Sequence, residues 1–348
     1  MRSKLLDGLL AGIDETVYEP FRDKTIVVTG ATGLIGSLVC KALLLADKRL
    51  GLGCRLVAVA RDERKLATVL DGYSTLGSLS FIKCDFLADM PDVVSADFIL
   101  HAAAITKSKI MVDRPADVAL MSLRSAESML DVARRTGARM VYVSSMEVYG
   151  TLPEGKVADE SALGWIDLMA PRSCYPESKR MCECLCSAYT AQYEAKVCSA
   201  RLAQTFGAGV LPGENRAFAQ FACSAMRGDN IVLRTQGLSE GNYVNTVDCV
   251  AGLLTLLARG EAGCSYNVAN EESHGTIYEI AELAGKILGD GRSRVIVDFD
   301  ESNSSGYAPD VHLQLSSSRL RNLGWEPKTD LAGSFAELGA YMREQGTK

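Results

Sequence analysis

The sequence predicts an α/β fold, a doubly wound parallel sheet followed by a smaller C-terminal lobe. Short β-branched runs alternate with helical stretches from Lys24 to Ala203, the pattern of parallel strands with helices on both faces. A glycine-rich turn, Thr29-Gly30-Ala31-Thr32-Gly33-Leu34-Ile35-Gly36, leaves the first apolar strand and enters an amphipathic stretch. After Thr205 the texture shifts to loops rich in Gly, Pro and Asn, such as FGAGVLPGENR and RTQGLSEGNY.

Residues 1–23 read as an amphipathic leader helix. Asp7, Asp14, Glu15 and Glu19 interrupt its apolar run, which is too short and too charged for a signal peptide or a membrane span. The first strand is TIVVTG, followed by a helix from Leu34 to Leu45. RLVAVA, a helix from Glu63 to Leu70, SFIKCD and ADFILHAAA continue the series. A helix from Val118 to Arg135, the strand RMVYVSS, a helix from Pro176 to Gln192 and the strand KVCSARLA complete a dinucleotide-binding sheet domain over 24–204. Residues 205–348 are expected to form mainly a substrate-binding lobe over the sheet's C-terminal edge, where α/β folds bind ligands. Part of 243–270 is expected to return to the sheet.

A chain of 348 residues with 47% hydrophobic content buries a large core. Its formal charge of -6, with both signs interspersed, gives no basic face for a nucleic-acid backbone. The expected partner is a small molecule, with neither nucleic acid nor membrane involved. Eleven cysteines read as thiols of a cytoplasmic protein, because a chain with such a core needs no disulfide staples. Cys182, Cys184 and Cys186 alternate along a helix, so Cys184 points away from the other two; three histidines without clustered acids make no metal site. Trp165 and Trp325 read as packing residues.

Between a buried strand and a helix, the glycine triplet is a Rossmann-type dinucleotide signature. Gly30 permits the tight turn, Gly33 opens the helix's positive end to a pyrophosphate, and Gly36 lets helix and strand close together. The second strand ends in Arg61-Asp62, 25 residues past Gly36. An acid there reads the ribose of NAD, whereas an arginine accommodates the 2′-phosphate of NADP. Arg61 holds the acid's usual place and tilts toward NADP, yet Asp62 could still turn inward. In YPESK, Tyr175 and Lys179 lie four residues apart on one face of a helix start. The lysine lowers the phenol's pKa and makes Tyr175 a usable general acid or base. Ser145, at the end of the preceding strand, is placed to hydrogen-bond the same substrate oxygen.

At these motifs the chain resembles the extended short-chain dehydrogenase/reductase family, most of all its nucleotide-sugar epimerase, dehydratase and decarboxylase branch. TGATGLIG, Asp85-Phe86, His101-Ala102-Ala103-Ala104, SSMEVYG, YPESK, RLAQTFG and LGWEP occur in the family's order and span nearly everything from Lys24 onward. RSCYPESKR is similar to the tyrosine-lysine segment of UDP-glucuronate decarboxylases. The resemblance implies an enzyme that oxidises a sugar hydroxyl, at C4 of a nucleotide sugar, to a transient ketone. It then epimerises or decarboxylates that intermediate and returns the hydride. Ser145 would orient the reacting hydroxyl, Tyr175 would take its proton with support from Lys179, and Glu147 would face the sugar ring. Thr32, Leu34, Ile35, Asp85, Phe86, Ala102, Ala103 and Ala104 would line NAD or NADP beside the three glycines, with Thr106 and Gln204 on the substrate side. A homodimer through the helix before Arg135 and the one after Lys179 is implied as well.

Departures from the family's pattern narrow this reading. Met146 stands where dehydratases carry the aspartic acid that protonates the departing hydroxyl, which disfavours 4,6-dehydration. Ser122 and Gln204 replace asparagines. Gly241 and His312 occupy the two positions whose basic residues grip the diphosphate. Either Arg216 and Arg234 take over that grip, or the enzyme is an NADP-dependent reductase or dehydrogenase of a non-nucleotide carbonyl or alcohol.

Overall fold

Strands apolar on both faces are stable only when helices cover both sides of their sheet. The computed structural model, which describes residues 2–299 and 310–346, shows how this chain does it. Ser3 caps α1 (Lys4–Ala11) by accepting from the Leu6 amide, and β1 (Thr25–Thr29), α2 (Leu34–Leu50), β2 (Arg55–Ala60), α3 (Glu63–Val69), β3 (Ser78–Lys83) and β4 (Phe98–His101) follow. Next come α4 (Ser108–Asp113), α5 (Pro115–Thr136), β5 (Arg139–Ser145), β6 (Val157–Ala158), α6 (Cys174–Tyr193) and β7 (Val197–Leu202). The chain continues through β8 (Gln204–Phe206), α7 (Ala217–Arg227), β9 (Ile231–Leu233), β10 (Glu240–Asn245), α8 (Thr246–Arg259), β11 (Ser265–Val268) and β12 (Asn270–Thr276). It ends with α9 (Ile277–Leu288), β13 (Val295–Val297), β14 (Gln314–Leu315), α10 (Ser318–Arg321) and α11 (Leu331–Glu344).

Seven parallel strands form the main sheet in the order β11-β7-β5-β4-β1-β2-β3. Strand order reverses between β1 and β4, which opens a crevice at their C-terminal ends. α1, α2 and α8 pack on one face through residues such as Leu10, Leu38, Leu43, Leu253 and Leu257. α5 and α6 cover the other through Met129, Leu130, Cys182 and Cys186, while Cys184 between them is exposed.

At Ala203 the chain leaves β7, and β8 pairs with β10 instead. The resulting three-stranded sheet, β12-β10-β8, sits with α7, α9 and α11 around a separate core of Phe206, Phe218, Tyr243, Ile280 and Phe335. β11 then joins the edge of the main sheet beside β7.

Two expectations are corrected by the structure. The leader is not one helix. Gly12 ends α1, and 3-10 turns at Glu15–Val17 and Glu19–Phe21 follow, the first capped by Asp14 accepting from the Thr16 amide. Trp325 is buried and donates its indole N–H to the Asp248 carbonyl at 2.9 Å, but Trp165 is 70% exposed. Its backbone pairs with Thr151, which fixes the chain there while the indole faces outward.

Candidate active site

The glycine-rich turn is built for close approach. Gly30 has φ +66°, and a Cβ on it would lie 2.6 Å from the Ala102 carbonyl oxygen and 2.8 Å from the Ala103 nitrogen. A Cβ on Gly36 would lie 2.4 Å from the Gly30 carbonyl. Only glycine therefore lets β1, β4 and the first turn of α2 meet. Gly33 caps α2 with no side-chain acceptor over the first helical N–H groups, leaving the positive end of a 17-residue helix to an outside anion. This cradle fits a dinucleotide pyrophosphate.

A buried hydroxyl chain holds the adjoining β4 end. The Thr29 hydroxyl accepts from the Ala103 amide at 3.1 Å and lies 2.7 Å from His101 Nδ1, while His101 Nε2 lies 3.2 Å from the Ser125 hydroxyl. Burial, with Lys179 nearby, pushes the imidazole down to about 3, so His101 is neutral at ordinary pH and serves as a spacer between hydroxyls. Thr32, Leu34 and Ile35 are half-buried in the turn, as are Ala102 and Ala104 around buried Ala103. Half-buried Asp85 turns its carboxylate onto the Leu87 amide. The Phe86 side chain lies in the core, edge-on to His101, so what it offers the crevice is backbone. Asp62 caps α3, accepting from the Lys65 amide at 3.0 Å, whereas exposed Arg61 has no ion-pair partner among the described residues.

Ser145 ends β5, and its hydroxyl caps the following 3-10 turn (Met146–Tyr149) by accepting from the Glu147 amide at 3.2 Å. Tyr175 and Lys179 rise from the first turns of α6 and are both buried. Lys179 Nζ donates to the Val143 carbonyl at 2.7 Å and lies 4.7 Å from the Tyr142 ring centre and 5.8 Å from that of Tyr175. Burial pulls the ammonium down to about 8. Against the expectation that Lys179 lowers it, the Tyr175 phenol is pushed well above its ordinary range, by burial first and by Glu147 next; the groups that oppose this are Ser145, through a hydrogen bond, and the charges of Arg172 and Arg216.

Glu147 is not free. Arg172, on the 3-10 turn Pro171–Ser173, donates to its two carboxylate oxygens at 2.7 and 3.2 Å. The sequence reading missed Arg172, although it stands only three residues before Tyr175 in RSCYPESKR. Deeper down, Glu183 of α6 accepts from Ser144 at 2.5 Å and from Arg201 at 2.7 and 3.1 Å, tying the helix of Tyr175 to the strand ends beneath it.

The expected substrate-side residues divide. Arg216 stacks on Phe218, pairs with Glu214 at 2.8 Å and lies near enough to act on the Tyr175 phenol. Arg234 is exposed and paired with Asp298, and His312 pairs with Glu240 at 3.3 Å. Half-buried Gln204 begins β8, and Thr106 is exposed in the loop after β4. A Cβ on Gly241 would meet Met146 Cε at 3.7 Å, so the two strongest departures from the family pattern are neighbours. Among the described residues no group of three or more His, Cys, Asp or Glu side chains is placed to hold a metal.

The chain is 25% identical to UDP-glucuronic acid decarboxylase 1 of Xenopus tropicalis over 331 residues, covering 92% of this chain and 73% of that one. Its fold superposes on an epimerase of Methanothermobacter thermautotrophicus with a TM-score of 0.78 at 21% identity, over 95% of this chain and 96% of the other. A UDP-glucuronic acid 4-epimerase of Bacillus cereus, solved with UDP-glucuronic acid and NAD, gives 0.74 at 20% identity over 92% and 99% of the two chains. With a cradle for a dinucleotide beside a Ser-Tyr-Lys cluster, and a sequence profile that matches residues 26–269, the chain belongs to the NAD dependent epimerase/dehydratase family.

Proposed function

We propose that the enzyme converts a nucleotide sugar by epimerisation or decarboxylation through a transient 4-keto intermediate, with the nicotinamide returned to its starting state. One observation carries this reading: Ser145, Tyr175 and Lys179 converge at the end of β5 together with an added carboxylate, Glu147, that simple carbonyl reduction does not need. A bound nicotinamide dinucleotide supplies the hydride acceptor and donor. Ser145 orients the reacting hydroxyl, Tyr175 takes its proton, and the Lys179 ammonium favours the phenolate that accepts it. In decarboxylation the bond between the adjacent carbon and its carboxylate breaks, carbon dioxide leaves, and Glu147 delivers the proton that the resulting enolate carbon takes up; in epimerisation the hydride returns to the other face of the ketone and Glu147 faces the turned sugar. Arg216 is the candidate grip for the substrate's anionic portion, with Gln204 and Thr106 nearer the sugar. Similarity to decarboxylases and 4-epimerases of UDP-glucuronic acid supports UDP-glucuronic acid as the first substrate to try. Arg61, which follows β2 and has no ion-pair partner among the described residues, favours a second reading, a net reductase that uses NADP.

Two further features belong to this proposal. Leu120 on α5 and Met181 and Tyr193 on α6 are exposed apolar side chains, which supports a homodimer through these helices. Eleven free cysteines support a cytoplasmic location, and among the described residues no helix is long and apolar enough to cross a membrane.

The test is to incubate the NAD-loaded protein with UDP-glucuronic acid while following reduced-nicotinamide absorbance and the masses and proton NMR spectra of the products. Expected is a product of changed stereochemistry, or one lighter by carbon dioxide, with no net nicotinamide change. Stoichiometric consumption of NADPH on a simple carbonyl, with UDP-glucuronic acid untouched, would replace this reading with the reductase.

A further inference from the structure

Arg172 touches the proposed chemistry without having a part in it. Its guanidinium meets Glu147 as a two-pronged fork, Nη1 to Oε2 at 2.7 Å and Nη2 to Oε1 at 3.2 Å, and it comes from the turn that leads directly into the helix of Tyr175. A bidentate pair fixes both the position and the rotation of a carboxylate, which a single donor does not. The titratable and charged groups around the Tyr175 phenol come from several elements. Glu147 faces it from the turn after β5, Tyr142 from β5, Cys174 and Lys179 from α6, Arg172 from the preceding turn and Arg216 from the start of α7. In that set Glu147 is the one carboxylate, and a negative charge beside a buried phenol opposes the phenolate.

We propose that Arg172 is a positioning residue that locks Glu147 in one orientation and neutralises its charge beside Tyr175. This rests on the reading of Tyr175 and Glu147 as the acid-base groups of the reaction. The pairing lets one site hold a carboxylate and a reactive phenol together: without the guanidinium, the acid needed for the second step would hinder the proton transfer of the first.

The shielding is testable without a known substrate. In NAD-loaded protein, Tyr175 ionisation is read as the tyrosinate absorbance difference between each protein and its Tyr175→Phe counterpart across a pH titration. Arg172→Met is expected to raise the Tyr175 midpoint by about one pH unit or more. Adding Glu147→Gln to Arg172→Met is expected to bring the midpoint back to within a few tenths of the wild type. A midpoint unmoved in Arg172→Met, or a shift that persists in the double variant, would overturn the proposal, because a merely structural arginine does not depend on the charge of Glu147. Where the wild-type phenol stays protonated up to the limit of folding, as its burial favours, the first half-reaction is read instead: with UDP-glucuronic acid at fixed pH, the initial rate of nicotinamide reduction should fall about tenfold in Arg172→Met and recover in the double variant, and an unchanged rate would overturn the proposal. If Arg172→Met does not fold, Arg172→Lys serves: it keeps the charge and loses the fork, so the midpoint should stay near that of the wild type, and an upward shift as large as expected for Met would overturn the shielding. With UDP-glucuronic acid as probe, Arg172→Lys should lower kcat more than it raises KM. The titration stands whether or not that sugar nucleotide is turned over, which separates failure of this inference from failure of the substrate reading.

Discussion

Lys179 carries its charge where charge is costly. The residue is 2% exposed, its ammonium has the Val143 carbonyl and the Tyr142 ring as near partners, and burial lowers its pKa from 10.5 to about 8. The folded protein thus bears the full burial cost below about pH 8, where the lysine is protonated in both states. Between about 8 and 10.5 the folded state has released a proton that the unfolded chain still holds, so this group makes stability rise with pH. The span corresponds to about 3 kcal/mol. In denaturant unfolding of the cofactor-free protein, Lys179→Met should therefore be more stable relative to the wild type near neutral pH, and should lose about 3 kcal/mol of that relative advantage by the upper end of the span. A constant difference across the range would mean that the ammonium is better solvated than its burial implies. At neutral pH the enzyme retains a cation under the phenol at a cost to its fold, the usual mark of a group kept for chemistry.

At the scale of elements, α6 must hold its first two turns against the end of β5, and a buried ion pair does this. Arg201 on β7 and Glu183 on α6 are almost fully enclosed, and Glu183 also accepts from Ser144 while Arg201 donates to the Tyr149 hydroxyl at 3.1 Å. Removing one partner leaves the other as an uncompensated buried charge. Arg201→Met should cost about 3–5 kcal/mol in urea unfolding, and Arg201→Met combined with Glu183→Met should cost less than the single change. A double variant as unstable as the single would show that packing, not charge, accounts for the loss. This network also marks the limit of what was legible beforehand. Strand and helix alternation is a local signal, so the succession from TIVVTG to KVCSARLA could be read directly, as could Tyr175 and Lys179 four residues apart on one helix face. Arg172 meets Glu147 across 25 residues of sequence, and Arg201 meets Glu183 across 18. Such pairs leave no periodicity in the chain, because each is set by how separate elements dock. Asp62 was ambiguous and Trp165 misread as a packing residue for the same reason: a cap and an outward-facing indole depend on the backbone around them.

Across the whole molecule, the leader joins the first and last helices of the chain. Leu6 and Leu10 of α1 are each 1% exposed, packed in the core that α2 and α8 share. The Ser3 hydroxyl and the Lys4 amide both donate to Glu344 on α11, and Asp7 accepts from the Tyr73 hydroxyl at 2.7 Å and from Arg2 at 2.6 Å. Arg49, in the last turn of α2, donates to the Ala11 carbonyl at 3.1 Å, so the leader reaches the end of that helix opposite the glycine-rich cradle. A helix of this length separates the two ends by about 25 Å. Leu10→Ala should therefore act on stability and not on the dinucleotide. We expect a loss of about 2–5 kcal/mol, from the lost burial and the cavity left behind, with NAD affinity within about twofold of the wild type under conditions where the protein stays folded. Calorimetric unfolding and an NAD titration of the same variant check both halves. A large fall in affinity without a matching fall in stability would mean that α2 transmits the disturbance along its length, and that the leader helps set the geometry of the phosphate cradle.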